Sequence, residues 1–527
     1  MDNDIKVVSF DIFDTLLLRT YIKPSDLFKL IEIKEKKEGF FAWRCSIERK
    51  LKHKFKREIE FDEIYGNAPD DYKLLKDVEL TLEASLLYPN EKIRTIFEQY
   101  KINGYKIVAI SDMYLSSTFL RKVLEDNGFY GIENIFVSGE YNATKFNSNL
   151  FKKALSELKI NPHELKHIGD NKFSDYIVPK QLGIKAEHIQ KLRTSFFKNH
   201  KFIKKYYSLH KYLPQSIIAG EIMKNNCNLN VLEKFGYEVA GPMVLSYTSF
   251  VYGKCKESGI DKLLFVARDG YFVKKCFDFF NLDIDNAYVY APRYQYYLTH
   301  YDTDYQTDSS IPRFICSYFN LNVKGNRRKW IRNNRAMIEP LIEKERENDG
   351  YNRYIKNVVG SSKKIAIVDG PSGKRTAQKY IQKELGTDIL TFYIQVLPRL
   401  RYKDFYKKSL LKFPHHYIIN RVQRSAFIER IFTSPYNGVK KVSGDGEIQY
   451  KNNKPFDDKH KSNYEKVENG MLLFFESMKK YKDVIGIFGN YTVFEDMLYS
   501  YTKYNKSNMN IIKATLVQDS WWLYCDK

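Results

Sequence analysis

Four short runs lie in order in the first third of this chain, and each carries residues able to do chemistry. VVSFDIFDTLL opens the series at residue 7, IVAISDMY follows at 107, GEYNATKFNSNLF at 139 and HIGDNKFSDY at 167. Between them fall helical patterns: EKIRTIFEQYKINGY, ending near Gly104, then STFLRKVLEDNG and NSNLFKKALSELKI. Strands alternating with helices predict a parallel sheet covered on both faces. Ligands of such sheets bind beyond the carboxyl ends of the strands, where all four runs place their polar residues. Together they read as a nucleophilic aspartate, an anion clamp and a site for a hard divalent cation.

The chain has 527 residues, which suits two to four domains. Its 43% hydrophobic content excludes global disorder. A net charge of +22 favours anionic partners, with a solvated basic surface as the plain alternative. No zinc-finger, RNA-recognition or basic-zipper pattern occurs, which argues against nucleic acid as the main partner. Six cysteines, Cys45, Cys227, Cys255, Cys276, Cys316 and Cys525, form no CxxC pair. They fit the isolated thiols of a cytoplasmic protein. The opening MDNDIKVVSFDIF leads into a buried strand, not a signal peptide. VAGPMVLSYTSFVYG is too short for a membrane span and predicts a buried helix. Charge alone leaves open a peripheral position on an anionic inner membrane face.

The predicted organisation is a first α/β domain over residues 1–195, with a helical insert over about 20–95. Ser25 is the expected cap of that insert's first helix. A basic helical linker follows over 196–230. A second α/β domain spans 231–435, and a mostly helical region closes the chain over 436–527.

The four ordered motifs resemble the haloacid dehalogenase-like (HAD) superfamily over about residues 1–195. The resemblance implies a Rossmann-like domain, a helical cap inserted after the first strand, Mg2+ as cofactor and a phosphoaspartate intermediate. Asp11 is then the nucleophile, its register fixed by Thr15 four residues on. Ser111 holds the phosphoryl group, with Asp112 beside it. Lys145 pairs with nucleophile and phosphate. The metal falls to Asp11, the Phe13 backbone carbonyl, Asp170 and Asp175, with Asn171 assisting. The sequence departs from the family at Phe13, where its phosphatases carry a second aspartate as general acid/base. Either Asp14 or another group substitutes, or the leaving group is good, or turnover is poor. An aromatic there also resembles the true dehalogenases, but those need no acidic GD element, and this chain keeps Asp170 and Asp175.

Within the insert, the basic run KHKFKRE suits an anionic substrate. Glu79 and Glu83 sit four apart on one helix face, and a salt bridge is their expected role. The second half, with GPMVLSYTSF, LLFVARDGYFVKK, IAIVDGPSG and FIERIFTSPYNG, resembles bacterial HAD-like proteins found with surface polysaccharide biosynthesis genes. VARDGYF and VDGPSGKRT place Gly and charge just after strands. Arg268, Asp269, Asp369, Lys374 and Arg375 are therefore candidate ligands for a nucleotide or sugar phosphate. The resemblance implies a phosphohydrolase acting on a phosphorylated sugar or small molecule, with polysaccharide biosynthesis enzymes or an anionic membrane as possible partners. Transfer to an acceptor held by the second domain, or a weakly catalytic phosphate-binding scaffold, are the alternatives.

Overall fold

The computed structural model describes residues 4–225, 228–304, 306, 310–347, 350–370, 376–394, 425–436, 438–443, 445–450 and 458–516. The chain divides into two compact units, Met1–Cys227 and Asn228–Lys527, and the fold is α/β with parallel sheets.

In the first unit β1 (Val7–Phe10) is buried at every residue, as a strand covered on both faces must be. The antiparallel pair β2 (Leu17–Arg19) and β3 (Leu87–Pro89) follows it in the chain. Next come β4 (Lys106–Ser111), β5 (Ile132–Val137), β6 (Leu165–Gly169) and β7 (Lys185–His188). These four join β1 in a parallel sheet of order β5-β4-β1-β6-β7. Val7, Val108, Ile110 and Phe136 pack on Leu150, Phe151 and Ala154 of the helix Asn149–Leu158. Phe10 meets Phe97 of the helix Glu91–Ile102, with ring centroids 5.7 Å apart.

Register brings the polar residues together. Phe10 stands level with Ala109 on one side and Ile168 on the other. Asp11 donates its amide to the Ile168 carbonyl at 2.9 Å. Asp11, Ser111 and Asp170 therefore emerge at one edge of the sheet.

The insert hangs from the β2–β3 ribbon and carries the helices Asp26–Lys34, Phe40–Phe55, Phe61–Gly66, Asp70–Lys73 and Leu75–Ser85. Ser25 precedes the first of these but makes no side-chain cap. Its backbone is already helical (φ −69°, ψ −6°), which turns the hydroxyl away from the first-turn amides; the Asp26 amide instead donates to the Lys23 carbonyl. Glu79 and Glu83 are both in salt bridges, to Arg44 at 2.8 Å and Arg19 at 2.6 Å. Two residues of the basic run are also paired: Lys52 with Glu48 and Glu58, and Arg57 with Glu63.

The stretch expected as a linker forms the helices Leu192–Asn199, Lys201–His210 and Leu213–Lys224. The last is buried at every position from Leu213 to Met223. A Cβ on Gly220 would stand 2.4 Å from the Thr20 carbonyl oxygen, so this helix packs directly on the chain entering the insert.

The second unit holds a four-stranded parallel sheet of order β11-β10-β8-β9. Its strands are β8 (Lys262–Val266), β9 (Asp285–Val289), β10 (Ile365–Asp369) and β11 (Leu390–Tyr393). The apolar stretch 239–253 lies in a buried π-helical turn and the helix Gly241–Ser258 that follows it. The helix Asp458–Met478 packs on Gly236, Tyr237 and Gly241. A hairpin of β12 (Val439–Val442) and β13 (Ile448–Tyr450) completes the unit. Among the described residues no helix is long and apolar enough to cross a membrane.

Candidate active site

The site sits at the carboxyl edge of the first sheet. Asp11 and Asp170 follow directly on β1 and β6, and both are buried. Asp175 comes from a π-helical turn, Lys172–Ile177, whose start is capped by the Asn171 side chain on the amides of Phe173 and Ser174. Asn171 is thus committed to the turn. The Asp175 carboxylate also accepts the Asn171 amide at 2.9 Å. Gly169 makes this approach feasible: a Cβ there would lie 2.6 Å from the Asp175 carboxyl. One carboxylate oxygen from each of Asp11, Asp170 and Asp175 falls within 4.8 Å of the others.

Lys145 closes the group. Its Nζ is 2.6 Å from Asp11 Oδ1 and 2.6 Å from Asp175 Oδ1. The Asp112 carboxylate accepts the Lys145 amide at 2.7 Å and so fixes the loop that carries it. Thr15 Oγ1 donates to Asp170 Oδ1 at 3.2 Å. Ser111 ends β4 and is buried. Asp14 occupies a left-handed turn (φ 59°) and is turned to Lys191, 3.4 Å away. The Phe13 ring lies under the Arg19 guanidinium, 4.3 Å from its carbon.

Three contributors have no place in the sequence reading. Lys191 stands 2.7 Å from Asp170 Oδ2. His167 Nε2 is 3.4 Å from Asp175, and Ser9 Oγ is 2.8 Å from His167 Nδ1. Burial pushes the His167 pKa down, against the pull of Asp175, so the ring favours its neutral form.

The electrostatics are those of a site short of positive charge. Burial pushes Asp11 up to about 7; Asp175 and Asp170 add to this, and Lys145 only partly opposes it. Burial acts the same way on Asp175, but Lys145 and His167 outweigh it and hold that carboxyl well below the usual range. Four carboxylates (Asp11, Asp14, Asp170, Asp175) meet two ammonium groups (Lys145, Lys191), an excess of two negative charges. An all-oxygen donor set with that excess fits a hard divalent cation such as Mg2+.

Of the residues expected in the second half, Arg268 and Asp269 follow β8, and Asp369 ends β10. The two strands are adjacent, and a Cβ on Gly370 would lie 2.4 Å from Asp269 Oδ2, so the two carboxylates are neighbours. Burial, reinforced by Asp269, pushes Asp369 up to about 7. Lys374 and Arg375 lie outside the described residues.

No protein-family model and no curated protein matches the chain. Solved structures similar to part of it include three haloacid dehalogenase or HAD-family proteins. L-2-haloacid dehalogenase from Xanthobacter autotrophicus is 14% identical and covers 41% of this chain and 87% of its own, with a TM-score of 0.28. A HAD-family enzyme of Bacteroides thetaiotaomicron, as a magnesium complex, is 17% identical over 36% and 94%, with a TM-score of 0.26. A HAD phosphatase from Thermococcus onnurineus is 16% identical over 37% and 98%, with a TM-score of 0.23. At such scores these likenesses add nothing to the geometry above.

Proposed function

We infer that the first unit is a magnesium-dependent phosphohydrolase of the HAD type, acting on a phosphorylated sugar or related metabolite. The observation that carries this reading is Lys145, bridging Asp11 and Asp175 at 2.6 Å each inside a buried carboxylate cluster. A carboxylate can attack a phosphate dianion only where cations neutralise both, and Lys145 supplies one such charge at the attacking group. Asp11, Asp170 and Asp175, with the Phe13 carbonyl, would hold Mg2+, which supplies charge neutralisation for the phosphoryl oxygens.

In this mechanism an Asp11 carboxylate oxygen attacks phosphorus, and the ester oxygen leaves with the bonding pair. Water then attacks the phosphoaspartate at phosphorus, releasing inorganic phosphate and restoring Asp11. Ser111, at the end of β4, orients the transferring group. Lys145 holds Asp11 and the phosphate together through both steps. Phe13 has no proton to give, so the leaving oxygen takes one from water, and Asp14 is the nearby carboxylate that relays it. Its Lys191 partner connects it to Asp170. A role in surface polysaccharide assembly rests on the resemblance of the sequence series alone.

Phosphate release from a panel of esters, with and without Mg2+, tests the reading. Metal-dependent release is expected in the native chain and none in Asp11→Asn. Asp14→Asn should cost about 10²–10⁴-fold in kcat, the usual worth of general acid/base help. Release that survives Asp11→Asn would refute the phosphoaspartate route.

A further inference from the structure

A chamber of about 600 Å³ opens beside the site, between the insert and the loops after β4 and β5. Asp112, Ser138 and Thr144 form one wall; they are chain neighbours of Ser111, of the β5 terminus and of Lys145. On the phosphohydrolase reading, this is the neighbouring space that the group esterified to the phosphate would enter.

Its charges are arranged against a second anion. Three cations line the chamber, and each is already held. Arg19 is bound by Glu83 at 2.6 Å, and Tyr21 donates to the same carboxylate. Arg44 makes a two-point contact with Glu79, at 2.8 Å for both nitrogens, and its guanidinium lies over the rings of Phe28 and Tyr114. Lys52 sits between Glu48 and Glu58, 3.0 Å from each. All four of these glutamates and Asp112 also line the chamber, so carboxylates outnumber cations there by two. A cation already paired with a carboxylate has little left to offer an incoming anion, and the surplus carboxylates repel it. Specificity often rests on such a repulsive element.

The remaining lining is neutral, and the surplus carboxylates can accept hydrogen bonds from hydroxyls. Ser25 is a lining residue, though its hydroxyl is itself buried and has no hydrogen-bond partner. The Ser138 hydroxyl accepts the Met113 amide and donates to the Met113 carbonyl, and Thr144 accepts the Asn147 amide, while Phe28, Met113 and Leu115 offer apolar faces.

We propose that this chamber selects phosphate monoesters of neutral, hydroxyl-rich alcohols of about sugar size, and rejects esters carrying a second phosphate or a carboxylate. The proposal rests on the phosphohydrolase reading of the adjoining site. It assigns Glu48 and Glu58 as specificity-determining residues, because they keep Lys52 occupied.

Calorimetry on the full-length Asp11→Asn protein with Mg2+ separates the two claims, since binding needs no turnover. The probes are inorganic phosphate and two matched pairs: glucose 6-phosphate with glucose 1,6-bisphosphate, and glycerol 3-phosphate with 3-phosphoglycerate. The neutral member of each pair should bind at least tenfold tighter than its partner. In the E48Q/E58Q variant, which frees Lys52, the preference should shrink severalfold. Equal or tighter binding of the doubly anionic members overturns the proposal. So does binding of inorganic phosphate with no binding of any ester, which leaves the phosphate site itself standing. If nothing binds, both readings fall. Selective binding with no hydrolysis by the native chain would sink the hydrolase reading and keep the chamber.

Discussion

Lys191 contacts the two carboxylates that Lys145 does not, Asp170 at 2.7 Å and Asp14 at 3.4 Å. Its ammonium opposes any cation brought to Asp170. The side chain is 37% exposed, so solvent weakens the effect. Lys191→Met should therefore bind Mg2+ about fivefold tighter, worth roughly 1 kcal/mol. Titration calorimetry on the native and variant proteins reads this directly. Weaker binding in the variant would mean that Lys191 serves to orient Asp170 instead. Residues such as Asp11, Ser111, Asp170 and Asp175 were legible in the sequence because each ends, or closely follows, an apolar strand, and strand ends converge in a parallel sheet. Lys191 was not. It lies in a lysine-rich stretch where one more lysine carries no signal, and only the packing after β7 shows which one faces the carboxylates. His167 was hidden for a different reason: inside a strand it reads as a core position, and its partner Asp175 arrives through an irregular turn.

At the scale of elements, the insert is held by a buried ion pair. Arg44 and Glu79 are 1% and 3% exposed, and Tyr65 donates to the same carboxylate at 2.7 Å. Arg44→Ala would strand Glu79 without its counter-charge and should cost about 3–5 kcal/mol in urea unfolding. A joint Arg44→Met, Glu79→Leu replacement should cost far less, because no charge is left buried alone. A loss below about 1 kcal/mol in the single variant would show that water reaches Glu79. In the second unit Glu238 lies in a π-helical turn, buried among apolar neighbours. Burial pushes its pKa up to about 7, and Lys234 at 3.7 Å only partly offsets this. Between about pH 4.5 and 7 the folded chain thus holds a proton that the unfolded chain has released. Stability contributed by this residue falls as pH rises through that window, by about 3 kcal/mol. Glu238→Gln should flatten that part of the profile, as urea midpoints at pH 5 and pH 8 would reveal. An unchanged slope would assign it to other groups. The long strands and amphipathic helices around these features were readable from periodicity. The ribbon β2–β3 was not, its strands being three residues long, and neither was the edge strand β7. β7 is partly exposed at its first two residues, exposed at its last two, and lacks the apolar alternation that marks a strand.

Across the whole molecule, the helix Leu213–Lys224 decides where the first unit ends. In sequence it follows HKFIKKYYSLHKYL, whose charge suggests a connector, and its own LPQSIIAGEIMK has no polar face to betray an amphipathic helix. Such a segment shows no solvent-facing polar side because it is buried all round, its few polar residues included. Ser216 accepts the Ile22 amide at 2.9 Å, and Arg193 donates to the Ile22 carbonyl at 2.8 Å, so the stretch beyond residue 190 fixes the chain where it enters the insert. Leu213, Ile217, Ile218, Ile222 and Met223 are all buried. Removing five such side chains forfeits on the order of 10 kcal/mol of burial, comparable with the whole stability of a typical domain, about 5–15 kcal/mol. A fragment of residues 1–227 should therefore unfold cooperatively in urea and keep its Mg2+ affinity. A fragment ending at 195 should not: it exposes Tyr21, Ile22 and Leu27 at the root of the insert, and loose attachment there disturbs the chamber beside Asp11. Circular dichroism melts of the two fragments, run with the full chain, distinguish the cases. Equal midpoints and equal cooperativity in both fragments would show that this helix is a connector after all, and that the insert is anchored by the β2–β3 ribbon and its ion pairs alone.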